Sequence, residues 1–162
     1  EFADFLSHTP AAPPDVICMW DTIEHLLDPV AYVRRASTLL TDNGWLFLTT
    51  GDIGSLMARM RGARWRMIHP PSHVNYFTRT TITRLLNDAG FDVTSIRSVG
   101  THRDARNAMH LLSLFSRRPV VRKLASVGEG VFAKGLPSFG FYINLHDIMF
   151  VAARKRGSRA SS

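Results

Sequence analysis

Asp21, Glu24 and His25 stand at positions i, i+3 and i+4, a spacing that puts three side chains on one face of a helical turn. Two carboxylates and an imidazole in that arrangement suit a hard divalent cation such as Mg²⁺. The same residues also have a plain structural use, with Asp21 capping a turn, Glu24 bonding to backbone and His25 packing beside a bound molecule. A second group, His69, His73 and Tyr76, follows a stretch that holds Arg59, Arg61, Arg64 and Arg66. Imidazoles at such a place can move protons, and guanidiniums hold anions. His73 is equally suited to a hydrogen bond that holds the Pro70-Pro71 turn. Nothing resembles a Ser-His-Asp or Cys-His arrangement or a zinc cluster. The only cysteine, Cys18, lies inside the apolar run Val16-Ile17-Cys18-Met19, where a free thiol is expected to be buried.

The elements that must position these groups alternate between strand and helix. Asp15 to Trp20 is a short continuous apolar run after Pro10-Ala11-Ala12-Pro13-Pro14, which reads as a strand buried on both faces. Asp28-Pro29 supplies an N-cap and a proline at the first helical position, and Val30, Val33, Ala36 and Leu40 mark one face of a helix ending near Thr41-Asp42-Asn43-Gly44. A second buried strand runs from Trp45 to Thr50. Strand, helix and strand in this order make a right-handed parallel crossover, the unit of doubly wound α/β sheets. Asp21, Glu24 and His25 then fall just past the carboxyl end of a parallel strand, where open sheets of this kind place their ligands.

Thr78 can cap a further helix carrying Ile82, Leu85, Leu86 and Ala89, with Gly90 to end it. Strands are expected at Phe91 to Val99 and at Asp147 to Ala153. Between them, residues 100–145 are too long for a simple connection and read as a helical insertion, with Ala108, Met109, Leu112 and Phe115 on one face.

The 162 residues fit one domain. Charge is divided unevenly: residues 1–54 hold eight acids and two bases, net −6, and residues 55–162 hold five acids and eighteen bases, net +13. That asymmetry suits an anionic partner for the second part, or else a solvated surface with a disordered basic tail over residues 154–162. No reading motif for nucleic acid accompanies the arginines. No apolar stretch reaches the length of a membrane span, though contact with a membrane surface is compatible with the charge. A single cysteine excludes a disulfide framework and suits a reducing, cytoplasmic compartment.

The run Asp15-Val16-Ile17 through Asp21-Thr22-Ile23-Glu24-His25-Leu26-Leu27-Asp28-Pro29 resembles the fourth strand and following turn of class I S-adenosylmethionine-dependent methyltransferases. Thr41-Asp42-Asn43-Gly44 and the strand after it look like that family's L-x-P-G-G turn and fifth strand, with Asp42-Asn43 in place of proline and the first glycine. Arg64-Trp65 followed by Pro70-Pro71-Ser72-His73-Val74-Asn75-Tyr76-Phe77-Thr78 is similar to the ubiquinone-biosynthesis-related subgroup, and the likeness extends to the type 11, 12 and 23 methyltransferases.

The resemblance implies a Rossmann-like α/β fold of which this chain holds the C-terminal part: strands four to seven of a seven-strand sheet, the last antiparallel. It implies S-adenosylmethionine as cofactor, contacted by Trp20 and Asp21 and, at the adenine, by Glu1 and Phe2. Ubiquinone-type relatives resemble the acidic-x-x-E-H pattern with a metal site, here Asp21, Glu24 and His25. The loop with Arg64, His69 and Tyr76 would face a small acceptor, anionic or lipid-linked, under a 100–145 cap. His73 is the first candidate for a base and His25 the second. The glycine-rich loop after strand one and the acidic ribose contact after strand two are not among these residues, so this chain alone is expected to bind the cofactor weakly and to be inactive. The competing reading is a non-catalytic binding module derived from a methyltransferase, holding an anionic partner on its basic surface. No residue argues for a nicotinamide dehydrogenase.

Overall fold

In the computed structural model, residues 4–104, 119–120, 123–124, 127 and 140–157 are described. Val16–Trp20 forms β1, Pro29–Leu39 α1, Trp45–Gly51 β2, Leu56–Arg61 α2, Arg79–Asp88 α3, Phe91–Asp104 β3 and Gly140–Lys155 β4, with single 3₁₀ turns at Ile23–His25 and Gly62–Arg64. The sheet order is β1-β2-β4-β3. β1 and β2 run parallel, with Val16 opposite Trp45 and Trp20 opposite Thr49. β4 lies antiparallel to β2, pairing Met149 with Thr50 and Arg154 with Trp45. The result is an α/β fold with a mixed sheet. The chain divides into two compact units, residues 1–99 with 145–162, and residues 100–144.

Local chemistry accounts for the helix limits. The Asp28 carboxylate accepts from the Ala31 amide, and Pro29 fills the first helical position, where its missing N–H costs nothing. Thr78 and Thr81 bond reciprocally in a capping box at the start of α3. Gly90, at φ +90°, closes that helix in a conformation open to glycine. Between α1 and β2, Asn43 takes φ +65°, which asparagine tolerates better than most residues. This is how the chain makes its turn without the family's first glycine. Gly44 beside it has no room for a side chain, since a Cβ would lie 2.9 Å from the Thr41 carbonyl.

Val33, Ala36 and Leu40 from the first helical stretch and Ile82 and Leu86 of α3 are buried in one cluster with Met19, Leu46, Leu48, Met149, Val151 and Ala153 from the strands. Each large side chain so buried contributes about 1.5–3 kcal/mol. Val30, expected on that buried face, is 40% exposed.

The other face of the sheet corrects the reading of β1 as buried on both sides. Val16 and Trp20 are about half exposed and Cys18 is exposed. β1 lies at one edge of the sheet, and period-2 alternation turns Val16, Cys18 and Trp20 away from the buried cluster that Met19 joins. An aromatic row crosses this face. Trp20 stacks on Phe150, Phe150 on Phe47, and Phe47 on Trp45, and the Arg154 guanidinium lies 6.0 Å from the Trp45 ring centre.

The basic tail is also corrected at its start. Arg154 and Lys155 belong to β4, Lys155 donates to the Leu40 carbonyl, and Arg156 pairs with Asp92 at 2.7 Å. The ends of the 100–145 segment, expected to be helical, are corrected to strand: residues 100–104 continue β3 and residues 140–145 open β4, where the ladder runs on past Val99 and begins before Asp147. Residues 158–162, the helix expected from Ala105 to Phe115, most of the 100–145 insertion, and Glu1 and Phe2 lie outside the described residues. Among the described residues no helix is long and apolar enough to cross a membrane.

Candidate active site

The parallel strands β1 and β2 end side by side, and Asp21 ties them together. Its amide donates to the Thr49 carbonyl and hydroxyl, and its carboxylate accepts from the Thr49 hydroxyl at 2.9 Å. Asp21 holds φ +46°, so the chain bends sharply as it leaves the sheet, and the 3₁₀ turn Ile23–His25 follows.

That turn is stitched to the loop after α2. The Glu24 carbonyl accepts from the amides of Val74 and Asn75, the Asn75 side-chain amide donates to the Leu26 carbonyl, and His25 Nδ1 is 2.7 Å from the Ser72 carbonyl. His73 Nδ1 makes an equivalent 2.7 Å contact with the Met67 carbonyl. A carbonyl oxygen can only accept, so both rings carry hydrogen on Nδ1 and keep the Nε2 lone pair when neutral.

Glu24, His25 and His73 form a group whose donor atoms lie within 4.8 Å of one another. Glu24 is 2% exposed, and among the described residues neither of its carboxylate oxygens has a hydrogen-bond partner. A buried carboxylate without a partner is costly, and it lines a crevice of about 10 Å³ with His73, Asn75 and Tyr76, room for roughly one water.

Trp65 forms another wall of the same crevice. It is buried, and its indole N–H donates to Asp147 at 2.9 Å. Arg66 grips Asp147 through Nε and Nη2 at 3.0 and 2.8 Å. Burial would raise the Asp147 pKa, but the bonds from Arg66 and Trp65, together with the Arg66 charge, hold it below the ordinary aspartate value. Gly51 makes room for this tryptophan, because a Cβ there would lie 3.0 Å from the indole ring.

The residues singled out from sequence are distributed as follows. His25 and His73 come together with Glu24. Asp21 is not in that group, because its carboxylate is engaged by Thr49, and His73 stands where the sequence placed Asp21. Trp20, at the end of β1, is 52% exposed and stacked on Phe150. His69 Nδ1 lies 2.9 Å from the Ser72 hydroxyl, and its ring centre is 6.0 Å from that of His73. The Tyr76 hydroxyl donates to the His73 carbonyl. Arg64 borders a separate cavity. Sequence reasoning passed over Trp65 as a wall, Asp147 as its anchor and Gly51 as its clearance. The acidic residue at the head of the apolar run Ile148 to Ala153 was the available signal, since a buried carboxylate is almost always paired.

A family model described as a methyltransferase domain matches residues 2–96. No curated protein matches the chain. Among solved structures, an S-adenosylmethionine-dependent methyltransferase from Thermotoga maritima is 15% identical with a TM-score of 0.51, over 93% of this chain and 61% of its own. The magnesium protoporphyrin IX methyltransferase of Synechocystis, solved with S-adenosylhomocysteine, is 12% identical with a TM-score of 0.51, over 94% of this chain and 49% of its own. The cyclase SpnF, at 16% identity and a TM-score of 0.53, is covered over 56% of its length by 98% of this chain. The chain thus spans about half to three-fifths of these neighbours. At such identities they speak for the fold, and a cyclase among them shows that the fold alone does not set the reaction. With more than half of its residues matched by the family model, the chain belongs to the methyltransferase-domain family and has the fold of class I S-adenosylmethionine-dependent methyltransferases.

Proposed function

We propose that this chain forms the acceptor side of an S-adenosylmethionine-dependent methyltransferase acting on a small anionic or lipid-linked acceptor. Its strands correspond in that reading to strands four to seven of the seven-strand sheet, which is supported by the order β1-β2-β4-β3 with β4 antiparallel to β2. The observation that carries the proposal is the pair of imidazoles beyond the carboxyl ends of β1 and β2, each with Nδ1 committed to a carbonyl and Nε2 able to accept a proton.

When bound, S-adenosylmethionine supplies a methyl group on a sulfonium centre. The half-exposed Trp20 ring and the exposed Asp21 next to it in the chain fit a molecule bearing a positive charge. The protein's task is to align the acceptor for in-line displacement. For a hydroxyl acceptor, His73 takes the proton as the oxygen–methyl bond forms and the sulfur–methyl bond breaks, and His25 is the alternative base.

Mg²⁺ does not fit this geometry. The convergent donors are one carboxylate and two imidazoles, whereas Mg²⁺ takes oxygen ligands, so no step is assigned to it. The test is methyl transfer by the complete protein from labelled S-adenosylmethionine to a panel of hydroxylated acceptors. Transfer that His73→Asn abolishes supports the reading. Transfer unaffected by substitution of either His73 or His25 removes the assigned base.

A further inference from the structure

A cavity of about 100 Å³ opens beside α2 and the start of the buried part of β4, and its walls are of two kinds. Met57, Trp65 and Leu145 give it an apolar side. Arg61 and Arg64 give it a cationic one, and Arg66 with Asp147 completes the lining. The three arginines are not equivalent. Arg66 is neutralised by the fully buried Asp147 through two hydrogen bonds. Asp147 also accepts from Trp65, so the acid has no remaining demand for a cation. Among the described residues the side chains of Arg61 and Arg64 have no ion-pair or hydrogen-bond partner. The cavity therefore carries two uncompensated positive charges over a fixed indole floor.

We infer that this cavity binds an anion borne on a compact apolar body, such as an aromatic carboxylate or a phosphate monoester, with the apolar part against Met57, Leu145 and the edge of Trp65 and the charge toward Arg61 and Arg64. Three features favour such a ligand over a merely solvated basic surface. Trp65 cannot swing away, because its indole N–H is held by Asp147 and its ring is backed by Gly51. Beside the lining residues Met57 and Arg61, α2 leaves Leu56 and Met60 each 74% exposed, and water covers such groups poorly. A guanidinium over an apolar floor recognises carboxylate or phosphate through paired N–H donors while the rest of the ligand is withdrawn from water.

Trp65 is also a wall of the Glu24–His73 crevice, and its fixed ring separates a ligand seated here from His73. The cavity is therefore a binding site of its own, and its test uses no cofactor.

The experiment titrates the protein with phenyl phosphate and benzoate, and with benzyl alcohol and inorganic phosphate as the uncharged and the non-apolar comparisons. The readout is the indole N–H resonance of Trp65, assigned with Trp65→Phe. The charged aromatic ligands are expected to shift that resonance and to bind more tightly than either comparison. The Arg61→Gln, Arg64→Gln double variant, whose changes are at exposed side chains, should weaken them about tenfold with an unchanged thermal midpoint. Rising ionic strength should weaken them in the parent. Equal binding of benzyl alcohol would overturn the inference by showing an apolar cavity with no use for charge. Equal binding of inorganic phosphate would overturn it by showing a general anion surface. Unchanged affinity in the double variant would overturn it by removing the two arginines from recognition.

Discussion

The rings of His25 and His73 meet edge to face, their centres 4.6 Å apart at 82°, and both hold a backbone carbonyl through Nδ1. For His73 this bond braces the loop after α2, so a base and a brace share one side chain. His73→Asn separates them, because the asparagine amide can still donate toward the Met67 carbonyl but cannot accept a proton. In the complete protein, turnover is expected to fall about 10²-fold or more, with cofactor affinity and thermal midpoint close to those of the parent. Activity lost only in proportion to folded protein would assign His73 a structural role.

Glu24 is buried with both oxygens unpartnered among the described residues, so the neutral isostere should relieve a cost. Glu24→Gln is expected to stabilise the protein by about 1 kcal/mol or more, roughly 2–4 °C in midpoint, measured by calorimetry after chelator treatment. A lower midpoint would show that the carboxylate has a favourable partner.

Asp147→Asn removes the charge that Arg66 pairs with and leaves a buried amide facing two donors. Arg66 is partly exposed, so the loss should be about 2–3 kcal/mol, below the roughly 3–5 of a fully buried pair. Because the folded-state pKa of Asp147 lies below the ordinary 3.8, this stabilisation is complete above that value and fades as pH falls through the folded value. Urea unfolding of parent and variant should therefore differ most at neutral pH and converge in acid.

Gly51→Ala places a Cβ 3.0 Å from the Trp65 ring and 3.2 Å from Met67. Since Asp147 holds the indole, the clash cannot be relieved by rotating the tryptophan. A destabilisation of about 1–3 kcal/mol is expected, together with a change in Trp65 fluorescence. A silent substitution would show that the wall is pliable.

Local patterns carried much of this architecture. The two apolar runs at β1 and β2, the Asp28-Pro29 start of α1 and the Thr78 cap of α3 are short-range signals, and each element formed where its signal lies. The burial of β1 was not legible, since a run of apolar residues reads the same in a central strand and in an outer one. Its exposed face depends on which neighbours the sheet supplies.

By itself the sequence determined the types of β1, α1, β2 and α3, the parallel pairing of β1 with β2 and the chemistry available beyond their carboxyl ends, because periodicity, capping and chain connectivity act over a few residues or one crossover. Only the tertiary structure decided which of those groups meet. Asp21 was expected beside Glu24 and His25, yet its left-handed backbone turns it to Thr49. His73 takes its place because Val74 and Asn75 are pinned to the Glu24 carbonyl. Trp65 and Asp147, 82 positions apart, meet for the same kind of reason: hydrogen bonds between distant segments set which side chains converge, and no local spacing encodes them.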